Sequence, residues 1–194
     1  LMVTSATYRQ SSSNPVSEKQ DPANTWFARS NIQRLSAEQV RDGLLAVSGE
    51  LDLKDGGESV EADKSNRRSV YRKVLRNKPN EVMHAFDTPD HISHMPQRSV
   101  TTTATQSLLM MNSDWIRKRA GALAKRLSKM HPKDIDALIH DAHEITTSLS
   151  PTKEQISLGR IFLESASGSV LPKPTLLTEY CHVLLNANAF MYLD

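Results

Sequence analysis

One local device, written three times, constrains this chain more than anything else in it. Ser36-Ala-Glu-Gln39, Thr103-Ala-Thr-Gln106 and Thr152-Lys-Glu-Gln155 each set a hydroxyl three residues ahead of a glutamine, just before an apolar run. The hydroxyl accepts from the free amide three residues on, and the glutamine reaches back to the capping residue's own amide. Three helix starts are thereby specified without help from distant residues. The first is the most fully punctuated. Leu35 and Val40 form the hydrophobic staple, Ala37, Val40, Leu44 and Val47 fall on one helical face, and Gly49 supplies the left-handed residue that ends the helix.

Apolar periodicity predicts three more helices. After Ser113, Ile116, Ala120, Leu123, Ala124, Leu127 and Met130 make a stripe that His131-Pro132 closes. Ile135, Leu138, Ile139, Ala142 and Ile145 make a second stripe, and Leu176, Leu177, Tyr180, Val183 and Leu184 a third. One stretch, RRSVYRKVL at residues 67–75, alternates as a strand does and carries two valines. The stretches SSSNPVSEKQDPANT, DLKDGGESVEADKSNRR and DTPDHISHMPQRS read as loops, rich in Pro, Gly and charge. The expected fold is therefore mainly α: one helical domain over residues 1–194, of about six helices with long loops and at most a small β element.

Charge and cysteine usage exclude several function classes. Lys plus Arg number 24 against 22 Asp plus Glu, a net charge of +2, so no global field recruits nucleic acid or an anionic membrane. The single Cys181 excludes an internal disulfide framework and a thiolate metal cluster. No apolar run approaches the roughly 18 residues that span a membrane. The opening LMVTSATYRQSSS lacks the basic and apolar regions of a secretory signal and suggests an excised C-terminal fragment of a larger multidomain protein.

Candidate chemistry is sparse, and no catalytic constellation and no phosphate-binding glycine loop is present. Seven histidines invite a metal hypothesis. Asp87, Asp90, His91 and His94 crowd into one Pro-bounded loop and offer mixed N and O ligands, though at no standard spacing. His140 and His143 lie one helical turn apart beside Glu144, in the wrong order for a metalloprotease helix. Basic residues cluster at Arg67, Arg68, Arg72, Lys73, Arg76 and Lys78, and again at Arg117, Lys118, Arg119, Lys125, Arg126 and Lys129. Without interleaved aromatics they read as solvated faces rather than a nucleic-acid surface. Cys181 and His182 are adjacent on a helix and diverge by about 100°, so Cys181 reads as a small buried hydrophobe. Arg98 is expected to organise the loop 84–106 by pairing with Asp87 or Asp90, or with carbonyls of that loop, ahead of the Thr103 and Gln106 cap.

Several segments, taken in order and spacing, resemble one family: SATYRQSS, DPANTWFARSNIQRLSAEQVRDGLLAVSGELD, RRSVYRKVLRN, FDTPD, PQRSVTTTATQSLLMMN and CHVLLNANAFMYLD. It is the C-terminal domain-of-unknown-function family (family 1553) of large planctomycete and verrucomicrobial proteins. In such proteins the region follows a secretory signal, a cytochrome-c-like haem segment and another uncharacterised domain. The resemblance thus implies an exported protein, periplasmic or extracellular, with the upstream domains as partners and any haem upstream; it implies no cofactor within this fragment and no catalytic residues. The function expected is a non-catalytic helical interaction or structural module. The alternative is part of an enzyme or metal site that uses the polar loop 84–106 together with the upstream domains.

Overall fold

All three capping boxes close. A computed structural model describes residues 1–61, 64–75, 80–89, 94, 96–165 and 173–193. Ser36, Thr103 and Thr152 each accept from the amide of the glutamine three residues on, and each glutamine returns to the cap amide. Among the described residues the helices are α1 (Pro15–Gln20), α2 (Ala37–Ser48), α3 (Glu81–Ala85), α4 (Ala104–Asn112), α5 (Asp114–Met130), α6 (Ile135–Thr147), α7 (Lys153–Glu164), α8 (Pro174–Leu185) and α9 (Asn188–Met191). The six expected from caps and periodicity are the six longest, α2 and α4 to α8. The fold is mainly α.

The hub is α5, which packs against α2, α4, α6 and α8. Ile116, Ala120, Leu123 and Leu127 are fully buried along its stripe, whereas Met130, at its last turn, is exposed. Leu44 and Leu45 of α2, Leu138 and Ile139 of α6, Leu163 of α7 and Leu177, Cys181 and Leu185 of α8 complete an aliphatic core. Full burial of each such side chain contributes about 1.5–3 kcal/mol. On α8 the inward face is rotated from the expected one: Cys181 and Leu185 face the core and Val183 faces solvent. Gly49 ends α2 at φ 76°, as its position requires. Gly159 lets α7 approach α6 and α8, since a Cβ there would stand 2.9 Å from the Tyr180 hydroxyl and 3.1 Å from Ile139 Cδ1.

A two-residue strand β1 (Gln33–Arg34) pairs antiparallel with β2 (Tyr192–Leu193), with Gln33 opposite Leu193 and Arg34 opposite Tyr192. The Leu35 amide adds a bond to Met191 O at 2.9 Å. The strand expected at 67–75 does not form. Ser69–Tyr71 is a single 3₁₀ turn, flanked by isolated bridges from Arg67 to Asp52 and from Arg72 to Val60. Val70 is 71% exposed, so there is no apolar face for an alternating pattern to bury. What holds the segment is polar. Asp42 accepts from the Ser69 amide and hydroxyl, and the buried Arg41 donates to Arg67 O at 2.9 Å and Ser65 O at 2.6 Å.

Candidate functional site

Residues 1–32 are built on a different plan from the helices. No hydrophobic side chain before Leu35 belongs to the core or packs against it. The buried residues of this arm are Ser12, Ser17, Asp21 and Asn24, while Leu1, Met2, Val3, Tyr8, Val16, Trp26, Phe27 and Ile32 are exposed. Asn14 caps α1 with Pro15 at its first position. Beyond α1 the chain turns tightly. The Trp26 amide donates to Asp21 Oδ2 at 2.8 Å, and that bond chiefly holds the Asp21 carboxyl below its ordinary range. Asn24 Nδ2 donates to Arg29 O and to Asn31 Oδ1. The Arg29 guanidinium donates to Ser17 Oγ, Asp21 O and Pro22 O at 3.1, 3.0 and 2.7 Å.

This brace holds Trp26 and Phe27 outward, 74% and 66% exposed. Asn24 at φ 54° and Phe27 at φ 52° are both left-handed. Asparagine tolerates that region, but for a bulky aromatic it costs on the order of 1–3 kcal/mol and persists only where the surroundings impose it. The periodicity that found the helices is blind to such a loop. The available signal was compositional: an adjacent Trp-Phe pair in a chain with only 5% aromatics.

The described part of the loop 84–106 is held by polar contacts, and Asp90, one of the two carboxylates expected to pair with Arg98, lies outside the described residues. Arg98 does not bind Asp87; its guanidinium makes a two-pronged contact with Glu38, at 2.9 and 3.0 Å, in the first turn of α2. Burial acts to raise the Glu38 carboxyl, and Arg98 with backbone amides outweighs it, so the carboxyl lies below its ordinary range. Asp87 is claimed by other groups. Arg34 donates to its Oδ2 at 2.8 Å, and the Thr101 amide and hydroxyl each donate to it at 2.8 Å. Arg34 also donates to Thr101 O, and Gln106 Nε2 to Ala85 O and Thr101 O. The clasp joins β1, α3 and the entry to α4. Thr103 and Gln106 hold their expected capping places, with Gln106 buried.

The metal candidates of that loop are not brought together as described. Asp87 is consumed by the clasp, His94 is exposed, and Asp90 and His91 lie outside the described residues. On α6 the structure separates the two histidines. His143 is buried and shares a hydrogen bond of 3.2 Å with the Tyr180 hydroxyl. His140 instead faces outward with Asp141 and Glu144. Burial pushes the Tyr180 phenol up to about 12 and the Cys181 thiol up to about 12, which leaves Cys181 an inert core group. Its neighbour His182 turns away to Met110 O, at 3.0 Å.

Several of the basic residues have intramolecular tasks. Arg67 donates to Lys54 O, Gly56 O and Glu58 O and stacks 4.2 Å from the Tyr71 ring centre. On α5, Arg117 reaches Glu179, Arg119 reaches Glu50 across the Trp115 ring, and Arg126 donates to Val47 O at the C-terminal end of α2. Arg76 and Lys78 lie outside the described residues. Beside α5 is a cleft of about 480 Å³ lined by Arg41, Glu81, Asn112, Asp114, Trp115 and Lys118, among others. Its charges are mixed, and the Arg41 guanidinium is spent on the 65–69 backbone. No helix among the described residues is long and apolar enough to cross a membrane.

Neither a curated protein nor a solved structure matches the chain. The profile of the family described as PSD1, protein of unknown function (DUF1553), matches residues 1–163, which take in the braced arm, the Asp87 clasp and all of α2 to α6. The chain belongs to that family.

Proposed function

We propose that this chain is a non-catalytic docking module of a larger exported protein, and that its arm carries the contact surface for the upstream polypeptide of that protein. The observation that supports this reading is the inverted burial of residues 1–32, with polar groups inside and eight large apolar side chains outside. Exposed aromatics suit interaction surfaces, and on a braced backbone they bind with little ordering cost. The helical core supplies a rigid platform. No observation among the described residues favours the alternative of a catalytic or metal site in the loop 84–106, because Asp87, Arg98 and Gln106 are satisfied by their own neighbours.

The test uses the only two tryptophans. With Trp115→Phe, emission reports Trp26 alone. In the intact parent protein Trp26 is expected to resist acrylamide several-fold better than in the isolated residues 1–194, with emission moved to shorter wavelength. Equal quenching in the two would refute the reading.

A further inference from the structure

We propose that His140, Asp141 and Glu144, with His131 bracing Asp141, form a surface site for one divalent transition-metal ion of the Zn²⁺ type. His140 and Glu144 are one turn apart on α6, the spacing at which two helical side chains meet, and His140 Nε2 lies 3.7 Å from Glu144 Oε1. Asp141 Oδ1 lies 3.9 Å from His140 Nδ1. One ligand atom from each of the three stands within 4.8 Å of the others. Bonds of about 2.0–2.2 Å to nitrogen and oxygen require donors roughly 3–3.6 Å apart, so the widest of these separations must close by roughly 1–2 Å. His140 and Glu144 are nearly half exposed and have the rotamer freedom to do so.

A second element points to the same place. His131 is the C-terminal cap of α5, and its Nε2 lies 2.6 Å from Asp141 Oδ2. One carboxylate oxygen is thus held by an imidazole while the other faces His140. A ligating group fixed from behind by a hydrogen bond is the arrangement that orients metal ligands. The charge pattern agrees. Among the described residues the ion-pair partners of Asp141 and Glu144 are imidazoles rather than guanidinium groups, and Glu144 Oε1 also accepts from Ser150 Oγ at 3.0 Å. Two carboxylates left without a fixed cation can neutralise a divalent ion. Mixed imidazole and carboxylate donors suit zinc and its first-row neighbours, and are wrong for magnesium or calcium, which take oxygen alone. His143 is no ligand, since it is turned inward to Tyr180.

Zn²⁺ titrated alone into the 194-residue chain at neutral pH, followed by calorimetry and by the histidine ring resonances, tests the site. One saturable equivalent is expected, with the His140 and His131 resonances moving and those of His84 and His94 unmoved. His140→Ala and Glu144→Gln are each expected to weaken binding at least tenfold. His131→Gln, as a positioning change, is expected to weaken it about tenfold. The exposed positions of His140 and Glu144 make it straightforward to confirm by circular dichroism that α6 persists. The proposal is overturned if no saturable binding occurs up to about 1 mM, the weak end of specific affinities, or if the double variant His140→Ala, Glu144→Gln binds as well as the parent chain.

Discussion

The helical body and the arm solve the same problem in opposite ways. In the body, Val40, Leu44, Ile116, Leu123, Leu138, Ile139 and Leu177 exclude water with almost no polar atom among them. In the arm the interior is Ser17, Asp21 and Asn24 held by the Arg29 fork, and the aromatic surface is outside. Apolar burial is non-directional and sums with area, so the body can lose one contact and persist as a fold. The arm's order rests on directional bonds whose net contribution is about 0.5–1.5 kcal/mol each. The two regions should therefore fail separately, and the arm first.

Leu123→Ala gives the largest test of that contrast. It empties a site at the centre of the hub helix and is expected to cost about 2–5 kcal/mol in urea denaturation, depending on how far the neighbours collapse. A loss near zero would mean that α5 is not the centre of the core. At the junction of the two regions, Asp87→Asn is expected to cost about 1–3 kcal/mol at neutral pH, since it weakens the acceptor for Arg34 and Thr101. Burial acts to raise the Asp87 carboxyl, and the Thr101 and Arg34 donors more than reverse that, leaving it below its ordinary value. The stabilisation is thus present above the ordinary carboxylate range and is lost as pH falls through the lowered folded value. The gap between parent and variant should close in acid; a gap that widens there would contradict the clasp. The smallest global effect belongs to Trp26→Ala with Phe27→Ala, within about 0.5 kcal/mol of the parent chain. A loss comparable to that of Leu123→Ala would show that the arm is part of the core after all.

What the sequence reveals follows the range of the interaction. Ser36, Thr103 and Thr152 act within three residues, so their boxes could be read directly, as could the aliphatic stripe of α5. The partner of Arg98 could not. Glu38 is 60 residues away, and nearness in sequence pointed to Asp87 and Asp90 instead. The alternation at 67–75 misled because a strand pattern means something only when one face has a core to meet; the arginines there reach for carbonyls. The short helices α1 and α9 were absorbed into an expected loop and an expected helix end, and α3 was left unassigned, because four to six residues carry too little periodicity. Even so, Asn14 before Pro15, and Asn80, accepting from the Met83 amide, were available as starts. At α6, spacing alone could not tell which of His140 and His143 faces out. That depends on Tyr180, 37 residues on.

The little β1–β2 ladder has a consequence for the order in which the chain can mature on the ribosome. Gln33 and Arg34 find their partners only at Tyr192 and Leu193, so a ring of about 160 residues closes last. At about 5–20 residues per second, α2 waits of order ten seconds or more between its own synthesis and that of α8 and α9. Through that interval α2 lacks the Phe190 ring that packs beside Gly43, and the nascent chain is most open to a chaperone. A translational pause placed before residue 174 would prolong the vulnerable state.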